Sequence, residues 1–416
     1  MSDGAEILRR REVLGWKLGL DRMARLCSLL GMPQNRFASI HVVGTNGKTS
    51  VTQLTAALLE AHGVSTGAYV SPHFSSWRER ILIRGEPIGD DAFTEALERA
   101  EESAVVADRS AGDEGPITQF ELLTAAAFLA FAAARVQYAV IEAGLGGRLD
   151  ATNVIPSKLT VLTSVGLDHT EWLGETLEEI AAEKVAVLRD HTALVVGDVP
   201  EEVEPVIDRA VTEKHAKSAR AVLTEPPGLG YQLKNFDLAI SAASQALGET
   251  DGKAIQEVQR RFQAGELTIP GRLQWVPGDP PTLFDAAHNT EGAAALAEAL
   301  PAFGGPHVVC CIAILAEKDA RAMVQALAGA CEAFVCTQIP DAAIQGSGRP
   351  SGRSWDPEEL AGFCRDAGAE AEAMADPIEA WARARELAGE RDGVALAAGS
   401  HYLLSSIWTE KPAQSS

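Results

Sequence analysis

The sequence predicts an α/β protein with two domains, the first built on a mostly parallel sheet with helices on both faces. Three observations lead to this prediction. Short apolar runs alternate with longer helical patterns along the chain, which is typical of parallel strands joined by helical crossovers. A stretch rich in proline and glycine interrupts the alternation at 271–281, after which it starts again. The length of 416 residues, at about 150 residues per domain, indicates two or three domains.

The first domain is expected at residues 1–270. Compact apolar runs predict its buried strands, and apolar residues spaced three and four apart predict its helices. One of these helices opens with a capping box, Thr176 and Glu179, which marks a helix start. The expected strands are 37–43, 67–70, 137–143 and 159–165, and the expected helices are 49–62, 121–134 and 176–188. Residues 199–230, which are polar and rich in Glu and Pro, are expected to be irregular.

The linker is predicted at residues 271–281, GRLQWVPGDPP, and the second domain at 282–416. Four apolar runs predict its strands: TLFDAA, HVVCCIAIL, EAFVCTQ and GVALAAGS. Helices are expected from about residues 290 and 319, and two more precede the last strand. This alternation predicts a smaller, Rossmann-like α/β domain.

Charge and cysteine usage narrow the class of protein. A net charge of −22 repels nucleic-acid phosphates and anionic lipid, so we expect no nucleic-acid or membrane partner. We find no signal peptide and no run of about 18 apolar residues, and we therefore expect a cytoplasmic protein. The six cysteines form no C-x-x-C pair and are expected to be reduced thiols in the core.

The segment GTNGKT at 44–49 follows a predicted strand and opens a predicted helix. Glycines let backbone N–H groups surround an anion, a lysine meets the outer phosphates, and a hydroxyl can bind Mg²⁺. The start of the helix adds a favourable dipole. Position 42 is Val, where the usual phosphate-loop pattern begins with Gly. The segment predicts a phosphate loop whose nucleotide contacts are Gly44, Thr45, Asn46, Gly47, Lys48, Thr49 and Ser50.

Three further side chains stand out near this loop. Glu142 ends a predicted strand, and a carboxylate at that edge of a parallel sheet can hold Mg²⁺. His169 follows another strand end, although a single histidine is more often structural than a ligand. Lys184 has no acidic residue three or four positions away on its predicted helix, where exposed lysines usually find a partner. Lys184 therefore faces the apolar, inward side of the helix.

Several blocks resemble the folate branch of the Mur ligase superfamily, dihydrofolate synthase and folylpolyglutamate synthase. GTNGKT is the form of the loop found in that superfamily. The similar blocks are SPHFSSWRERILIRGEPI (71–88), FELLTAAAF (120–128), IEAGLGGRLDATNV (141–154), TSVGLDHTEWLGETLEEIAAEKVAVLR (163–189), PGRLQ (270–274), DAAHNTEG (285–292), EKDA (317–320) and GSHYL (399–403). The resemblance runs from about Gly19 to Leu403. It implies a P-loop-type ATP-binding domain followed by a C-terminal glutamate-ligase domain.

The resemblance also implies the cofactors and most of the site. It implies ATP and two Mg²⁺ ions, and it allows K⁺. The implied metal ligands are Thr49, Ser71, Glu142, His169 and Lys184, the last as a carbamate, which replaces a repelled cation with a metal-binding anion. Lys48, Lys184 and His169 are the implied catalytic residues. Further nucleotide contacts fall on Asn235, Arg272, Asp285 and His288, and substrate contacts on Thr118, Phe120, Asp150 and Ala151.

The implied reaction joins L-glutamate to dihydropteroate, to reduced folates or to both, through an acyl phosphate made with ATP. Two positions depart from the family pattern: Lys17, where bifunctional relatives can carry an acid, and Tyr231, where relatives usually carry His. The departure at Lys17 leaves the choice of substrate open. Two alternatives remain, a Mur-type ligase that acts on a muropeptide precursor and a nucleotide-binding regulatory protein without ligase activity. We expect a monomer that binds small-molecule substrates.

Overall fold

The computed structural model describes residues 4–12, 17–110, 112–222, 230–303, 307–345 and 352–408. These residues form two compact units. The first unit contains the described residues up to 222 together with Lys234–Leu267. The second contains 230–233 and the described residues from Thr268 onward. Each unit is a sheet surrounded by helices, which confirms the predicted α/β class.

A mostly parallel sheet forms the centre of the first unit. Its strands are β1 Ala38–Val43, β2 Thr66–Tyr69, β3 Ile81–Ile83, β4 Glu86–Pro87, β5 Tyr138–Glu142, β6 Leu159–Leu162, β7 Ala193–Val196 and β8 Lys217–Arg220. Their order in the described residues is β4-β3-β2-β5-β1-β6-β7-β8, and only β3 and β4 pair antiparallel with their neighbours. The central strand β1 lies between β5 and β6, with Val42 opposite Glu142. The carboxyl ends of these strands share one edge, where β1 leads into the phosphate loop.

Helices cover this sheet. They are α1 Gly4–Glu12, α2 Asp21–Leu29, α3 Lys48–Ala61, α4 Asp90–Asp108, α5 Gln119–Ala133, α6 Thr170–Leu173, α7 Leu177–Val185, α8 Glu204–Glu213, α9 Tyr231–Leu247 and α10 Gly252–Gln263. The three predicted helices are present as α3, α5 and α7. The capping box is confirmed, since the Thr176 hydroxyl accepts a hydrogen bond from the Glu179 N–H and the Glu179 carboxylate accepts one from the Thr176 N–H. Helix α5 is buried along most of its length, which explains its apolar sequence.

The expectation that residues 199–230 are irregular was wrong where the structure describes them. Helix α8 and strand β8 lie in this segment. Ile207 of α8 is buried, and Val206, Ala210 and Val211 pack against the same apolar cluster. These residues recur at helical spacing, but the acids and prolines that precede them at 200–205 hid the pattern. The four residues of β8 are exposed because β8 is the last strand of the sheet, so it lacks an apolar signal.

The second unit contains a six-stranded sheet in its described residues, in the order β13-β12-β11-β14-β10-β9. Its strands are β9 Gln274–Val276, β10 Thr282–Phe284, β11 Val308–Ile312, β12 Ala333–Cys336, β13 Glu370–Ala373 and β14 Val394–Ala398. Its helices are α11 Thr290–Ala299, α12 Ala320–Leu327, α13 Asp341–Gln345, α14 Pro357–Asp366, α15 Pro377–Glu390 and α16 His401–Ile407. Part of the expected linker is β9, which pairs antiparallel with β10.

All six cysteines are buried free thiols, as the sequence predicted. Cys310 and Cys311 lie side by side in β11, where both are enclosed by the core. Among the helices that the structure describes, none combines the length and the apolar composition needed to cross a lipid bilayer.

Candidate active site

The phosphate loop connects β1 to α3 and depends on two glycines. A Cβ atom at Gly44 would lie 1.8 Å from the Thr163 hydroxyl oxygen, so only glycine fits there. Gly47 has a φ of 84° and precedes the first residue of α3, a conformation that glycine adopts without strain. A Cβ at Gly47 would also lie 2.6 Å from the Asn235 side-chain oxygen. The loop therefore packs closely against its neighbours while its backbone leads into the amino end of a helix.

Residues that follow β6 hold the loop in place, and the sequence analysis missed them. The Thr163 hydroxyl donates to the Asn46 carbonyl at 2.6 Å, and the Ser164 hydroxyl accepts from the Asn46 N–H at 2.9 Å. The Thr45 hydroxyl donates to the Gly166 carbonyl at 3.2 Å. The available signal was the sequence TSVG at the carboxyl end of the strand predicted at 159–165, in the same sheet.

Thr49, Ser71 and Glu142 come together beside the loop. Glu142 ends β5, next to β1, and its side chain is buried. Its carboxylate accepts from the Thr49 hydroxyl at 3.0 Å and from the Ser71 N–H at 3.0 Å. The Thr49 hydroxyl also lies 3.4 Å from the Ser71 carbonyl oxygen. Hydroxyl and carboxylate oxygens are ligands that Mg²⁺ prefers, so this part of the predicted metal site fits the ion chemically.

Lys184 reaches the phosphate loop from α7. Its ammonium nitrogen lies 2.9 Å from the Gly44 carbonyl oxygen, and the Lys48 nitrogen lies 3.0 Å from the same oxygen. Lys48 also donates to the Thr45 carbonyl at 3.0 Å. Burial, reinforced by the positive charge of Lys48, lowers the pKa of Lys184 to about 7. A cation at this place does not fit a metal site, whereas a carbamate on the same nitrogen does.

His169 lies after β6, at the start of the short helix α6, with a left-handed backbone. Its ring Nε2 is 3.9 Å from a carboxylate oxygen of Asp168, and that same oxygen accepts the His169 N–H at 2.9 Å. In the described parts of the chain, no three His, Cys, Asp or Glu side chains form a group suited to a metal ion.

The predicted substrate contacts also lie in the first unit. Thr118 caps α5, and its hydroxyl donates to the Glu121 carboxylate at 2.9 Å. Phe120 and Asp150 both enclose Gly144, where a Cβ would lie 2.6 Å from the Phe120 ring and 3.1 Å from an Asp150 oxygen. Ala151, the next residue, is buried. Phe120 and Asp150 therefore lie close together, on either side of Gly144. Thr118 lies at the amino end of α5, where its hydroxyl binds Glu121 one turn further along the helix.

A buried network supports Asp150. Its carboxylate accepts from the Thr152 hydroxyl at 2.5 Å, the Thr152 N–H at 3.0 Å and the Leu145 N–H at 2.9 Å. Burial raises the pKa of Asp150, and these donors oppose the rise. His41 in β1 lies 2.9 Å from the Thr152 hydroxyl oxygen through Nε2. Because that hydroxyl gives its proton to Asp150, His41 must donate its Nε2 proton to Thr152.

Three predicted nucleotide contacts lie together in the second unit. Asp285 accepts from the Tyr231 hydroxyl, from the Leu273 N–H at 2.8 Å and from the Ala287 N–H at 2.9 Å. Burial raises the pKa of Asp285, and the Tyr231 hydrogen bond and the Arg272 charge oppose it. His288 donates its Nδ1 proton to the Ala286 carbonyl at 3.0 Å. Tyr231, which departs from the family pattern, is therefore a direct partner of Asp285.

Comparison with known families defines the class of protein first. Residues 42–220 match the Mur ligase middle domain, and residues 271–401 match the Mur ligase glutamate ligase domain. The chain is 31% identical to the dihydrofolate synthase/folylpolyglutamate synthase of Bacillus subtilis, over 87% of this chain and 92% of the relative. It is 35% identical to the enzyme of the same name from Mycobacterium tuberculosis, over 76% of this chain and 74% of the relative.

Solved structures agree with the sequence comparison. A folylpolyglutamate synthase from Mycobacterium tuberculosis, in complex with ADP and AMPPCP, superposes with a TM-score of 0.85 at 30% identity. The match covers 97% of this chain and 98% of that one. A bifunctional folylpolyglutamate synthase/dihydrofolate synthase with Mn, AMPPNP and L-glutamate bound gives a TM-score of 0.82 at 27% identity, over 97% of each chain. The chain is thus a Mur-type, ATP-dependent ligase. It belongs to the dihydrofolate synthase/folylpolyglutamate synthase family.

Proposed function

We propose that this ligase joins L-glutamate to a pterin-bearing carboxylic acid, which we call the carboxylate substrate, with ATP and Mg²⁺. Dihydropteroate would give dihydrofolate, and reduced folates would give folylpolyglutamates. The observation that carries the proposal is the junction of the phosphate loop with Glu142 and Thr49 in a chain that resembles these ligases over nearly its whole length. In this proposal residues 1–270 bind ATP, 271–281 are a linker, and 282–416 are the glutamate-ligase domain.

The phosphate loop would receive the ATP phosphates, with Gly44, Thr45, Asn46, Gly47, Lys48, Thr49 and Ser50 around them. Backbone N–H groups and the amino end of α3 favour the anion, and Lys48 offsets charge that develops on the outer phosphate. Asn235 packs against Gly47, which supports its proposed contact with the nucleotide. Arg272, Asp285 and His288, which share one part of the second unit, are the remaining proposed nucleotide contacts.

Thr49, Ser71, Glu142 and His169 would hold Mg²⁺, together with a carbamylated Lys184. Bound Mg²⁺ supplies positive charge that stabilises the transferring phosphoryl group. We propose two ions, and K⁺ stays a possible further cofactor. Carbamylation joins the neutral Lys184 amine to CO₂ and releases one proton, so the neutral amine becomes an anion. Burial and the neighbouring Lys48 both favour the neutral amine that this step needs.

The chemistry requires two steps. A carboxylate oxygen of the substrate attacks the γ-phosphorus of ATP and forms an acyl phosphate, with ADP as the leaving group. The amine of L-glutamate then attacks the acyl carbon, expels inorganic phosphate and loses a proton to give the amide. Lys48 and the loop N–H groups hold the phosphoryl group, and Thr118, Phe120, Asp150 and Ala151 hold the pterin end. We propose that the enzyme acts on small-molecule substrates as a cytoplasmic monomer.

The test is glutamate-dependent release of ADP and phosphate with a panel of substrates, followed by mass spectrometry of the products. The panel contains dihydropteroate, tetrahydrofolate and a muropeptide precursor. We expect a mass increase of one glutamyl residue with dihydropteroate, and of one or more with tetrahydrofolate.

Each departure from that result has a defined meaning. Activity on tetrahydrofolate alone would restrict the enzyme to folylpolyglutamate synthesis. Turnover of the muropeptide alone would overturn the folate assignment. ATP hydrolysis that is indifferent to glutamate would contradict the ligase reaction itself.

A further inference from the structure

Arg22 is a buried cation at the start of α2, and its guanidinium group joins three separate segments of the first unit. Its Nε donates to both carboxylate oxygens of Glu121, at 2.9 and 3.1 Å. Its Nη1 donates to the Glu114 carbonyl at 3.1 Å, and its Nη2 donates to the Lys17 carbonyl at 2.7 Å. The side chains of Arg22 and Glu121 are only 6% and 2% exposed. A planar guanidinium can make these contacts together, whereas an ammonium cannot.

The contact between Arg22 and Glu121 leads on to Thr118. The Glu121 oxygen that lies 3.1 Å from Arg22 also accepts from the Thr118 N–H at 2.8 Å and from the Thr118 hydroxyl at 2.9 Å. The Glu121 N–H returns a hydrogen bond to the Thr118 hydroxyl oxygen at 3.3 Å. The position and the proton of the Thr118 hydroxyl are therefore set by a carboxylate that Arg22 holds.

The contact between Arg22 and the Lys17 carbonyl leads to the loop at 17–19. Arg22 holds the carbonyl of Lys17, and the Gly19 N–H donates to the Leu149 carbonyl at 3.2 Å. Leu149 immediately precedes Asp150, so this loop is tied at one end to α2 and at the other to the segment that carries a second proposed substrate contact. Arg22, the 17–19 loop and Glu114 line an open cleft of about 430 Å³.

We propose that Arg22 is a positioning residue for the carboxylate substrate. It orients Thr118 through Glu121 and fixes the 17–19 loop beside Leu149, so that both sides of the substrate site are set by one buried side chain. This inference rests on the proposed function, because it takes Thr118 and Asp150 to be substrate contacts. Arg22 itself touches neither the phosphate loop nor the residues proposed to bind metal in the contacts that the structure describes.

The test is a comparison of Michaelis constants in Arg22→Lys. Lysine keeps the positive charge beside Glu121 but cannot reach all three partners. We expect KM for the carboxylate substrate to rise about tenfold or more, the scale of a misplaced positioning contact. KM for ATP and KM for glutamate should stay within about twofold. Calorimetric binding of dihydropteroate, with a non-hydrolysable ATP analogue and no glutamate, should weaken by the same factor.

A second variant covers the case in which Arg22→Lys does not fold. In the double variant Arg22→Met/Glu121→Gln no buried charge is left unpaired, and Gln can still accept from Thr118. It should fold and show the same selective rise in KM. The control is Arg220→Lys. Arg220 lies on the last strand of the same sheet, β8, and pairs with Glu204 of α8, away from Thr118 and Asp150 in the contacts that the structure describes, so this change should leave KM for the carboxylate substrate unchanged.

Equal changes in all three Michaelis constants, or an unchanged KM for the carboxylate substrate in a folded variant, would overturn the proposal. A selective rise in Arg220→Lys would do the same, because it would show general loosening of the unit. Failure of the proposed function is seen separately, as wild-type enzyme that glutamylates neither folate. The same KM comparison is then made with whichever carboxylic acid the wild type does use.

Discussion

Replacing Lys184 by methionine should remove most of the ligase activity and stabilise the first unit at the same time. The side-chain nitrogens of Lys184 and Lys48 lie 2.9 and 3.0 Å from one carbonyl oxygen, that of Gly44, so they are at most about 6 Å apart. Two unit charges at this separation repel by about 3 kcal/mol at an effective dielectric constant of about 20. Lys184 is also only 2% exposed, so its ammonium form has lost most of its hydration.

Methionine has a similar length and no charge, so it removes both the repulsion and the buried cation. The variant loses the hydrogen bond to Gly44, worth about 1 kcal/mol, although Lys48 still satisfies that carbonyl. We therefore expect the free energy of unfolding to increase by about 2 kcal/mol. Turnover should fall by about 100-fold or more, because the carbamate proposed at this position cannot form.

The measurement is urea unfolding of wild type and Lys184→Met at pH 6 and low ionic strength, in buffer without metal ions, nucleotide or bicarbonate. The control is Lys214→Met, which removes an exposed lysine paired with Asp190 and should change stability by less than about 1 kcal/mol. In the smaller variant Lys184→Ala, short-chain carboxylic acids should restore part of the activity by supplying the missing anion. A folded Lys184→Met protein that is destabilised by about 3 kcal/mol yet turns over normally would show that Lys184 is a structural cation.

Three other changes test the site and its support. Lys48→Ala should lower turnover by about 100-fold or more, since a strong contact to the transferring phosphate is lost; near-normal steady-state turnover in folded protein would exclude the phosphate-loop assignment. Glu142→Gln keeps the size of the side chain but removes its charge, so the Mg²⁺ concentration for half-maximal activity should rise about tenfold or more, and an unchanged Mg²⁺ titration would remove Glu142 from the metal site. Burial, with a smaller effect of Arg189, lowers the pKa of His41 from 6.5 to about 3, so below pH 6.5 the unfolded chain binds more protons than the folded one. As the pH is lowered from 6.5 toward 3, the free energy of unfolding should fall by up to about 1.4 kcal/mol per pH unit. The His41→Gln variant, measured by denaturant unfolding at each pH, should lack this contribution. Wild-type and variant profiles that run parallel with pH would contradict this prediction.

Local chemistry explains why the sequence was informative about the phosphate loop and about α7. Glycine, lysine and threonine at fixed spacing define the loop without knowledge of distant residues, and Thr176 with Glu179 defines a helix start in the same way. The inward position of Lys184 also followed from the sequence, because its helix offered no acid at the right spacing. The sequence could not show that Lys184 and Lys48 converge on one carbonyl, since residues 44 and 184 meet only in the folded chain.

The missed features are those that depend on contacts distant in sequence or on weak apolar patterns. Thr163 and Ser164 bind the phosphate loop although they lie 117 and 118 residues further along the chain than Asn46, and their sequence block does not show which residues they contact. Arg22 likewise gives no signal in the sequence, because its buried partner Glu121 lies 99 residues further along the chain. Strand β8 was missed because an exposed edge strand needs no apolar residues.

Hydrogen-bond polarity then indicates how the carboxylate substrate is oriented. The Thr118 hydroxyl gives its proton to Glu121, which as a carboxylate can only accept. Asp150 accepts from Thr152 and Leu145 and as a carboxylate has no proton to give. Neither Thr118 nor Asp150 can therefore donate to a ligand, and a substrate carboxylate would meet the negative charge of Asp150 there. An N–H edge of a pterin ring complements two such hydrogen-bond acceptors. If Thr118 and Asp150 are the substrate contacts proposed above, we expect the substrate's own carboxylate to find its donors at the phosphate loop, which would point the reacting end of the substrate toward ATP.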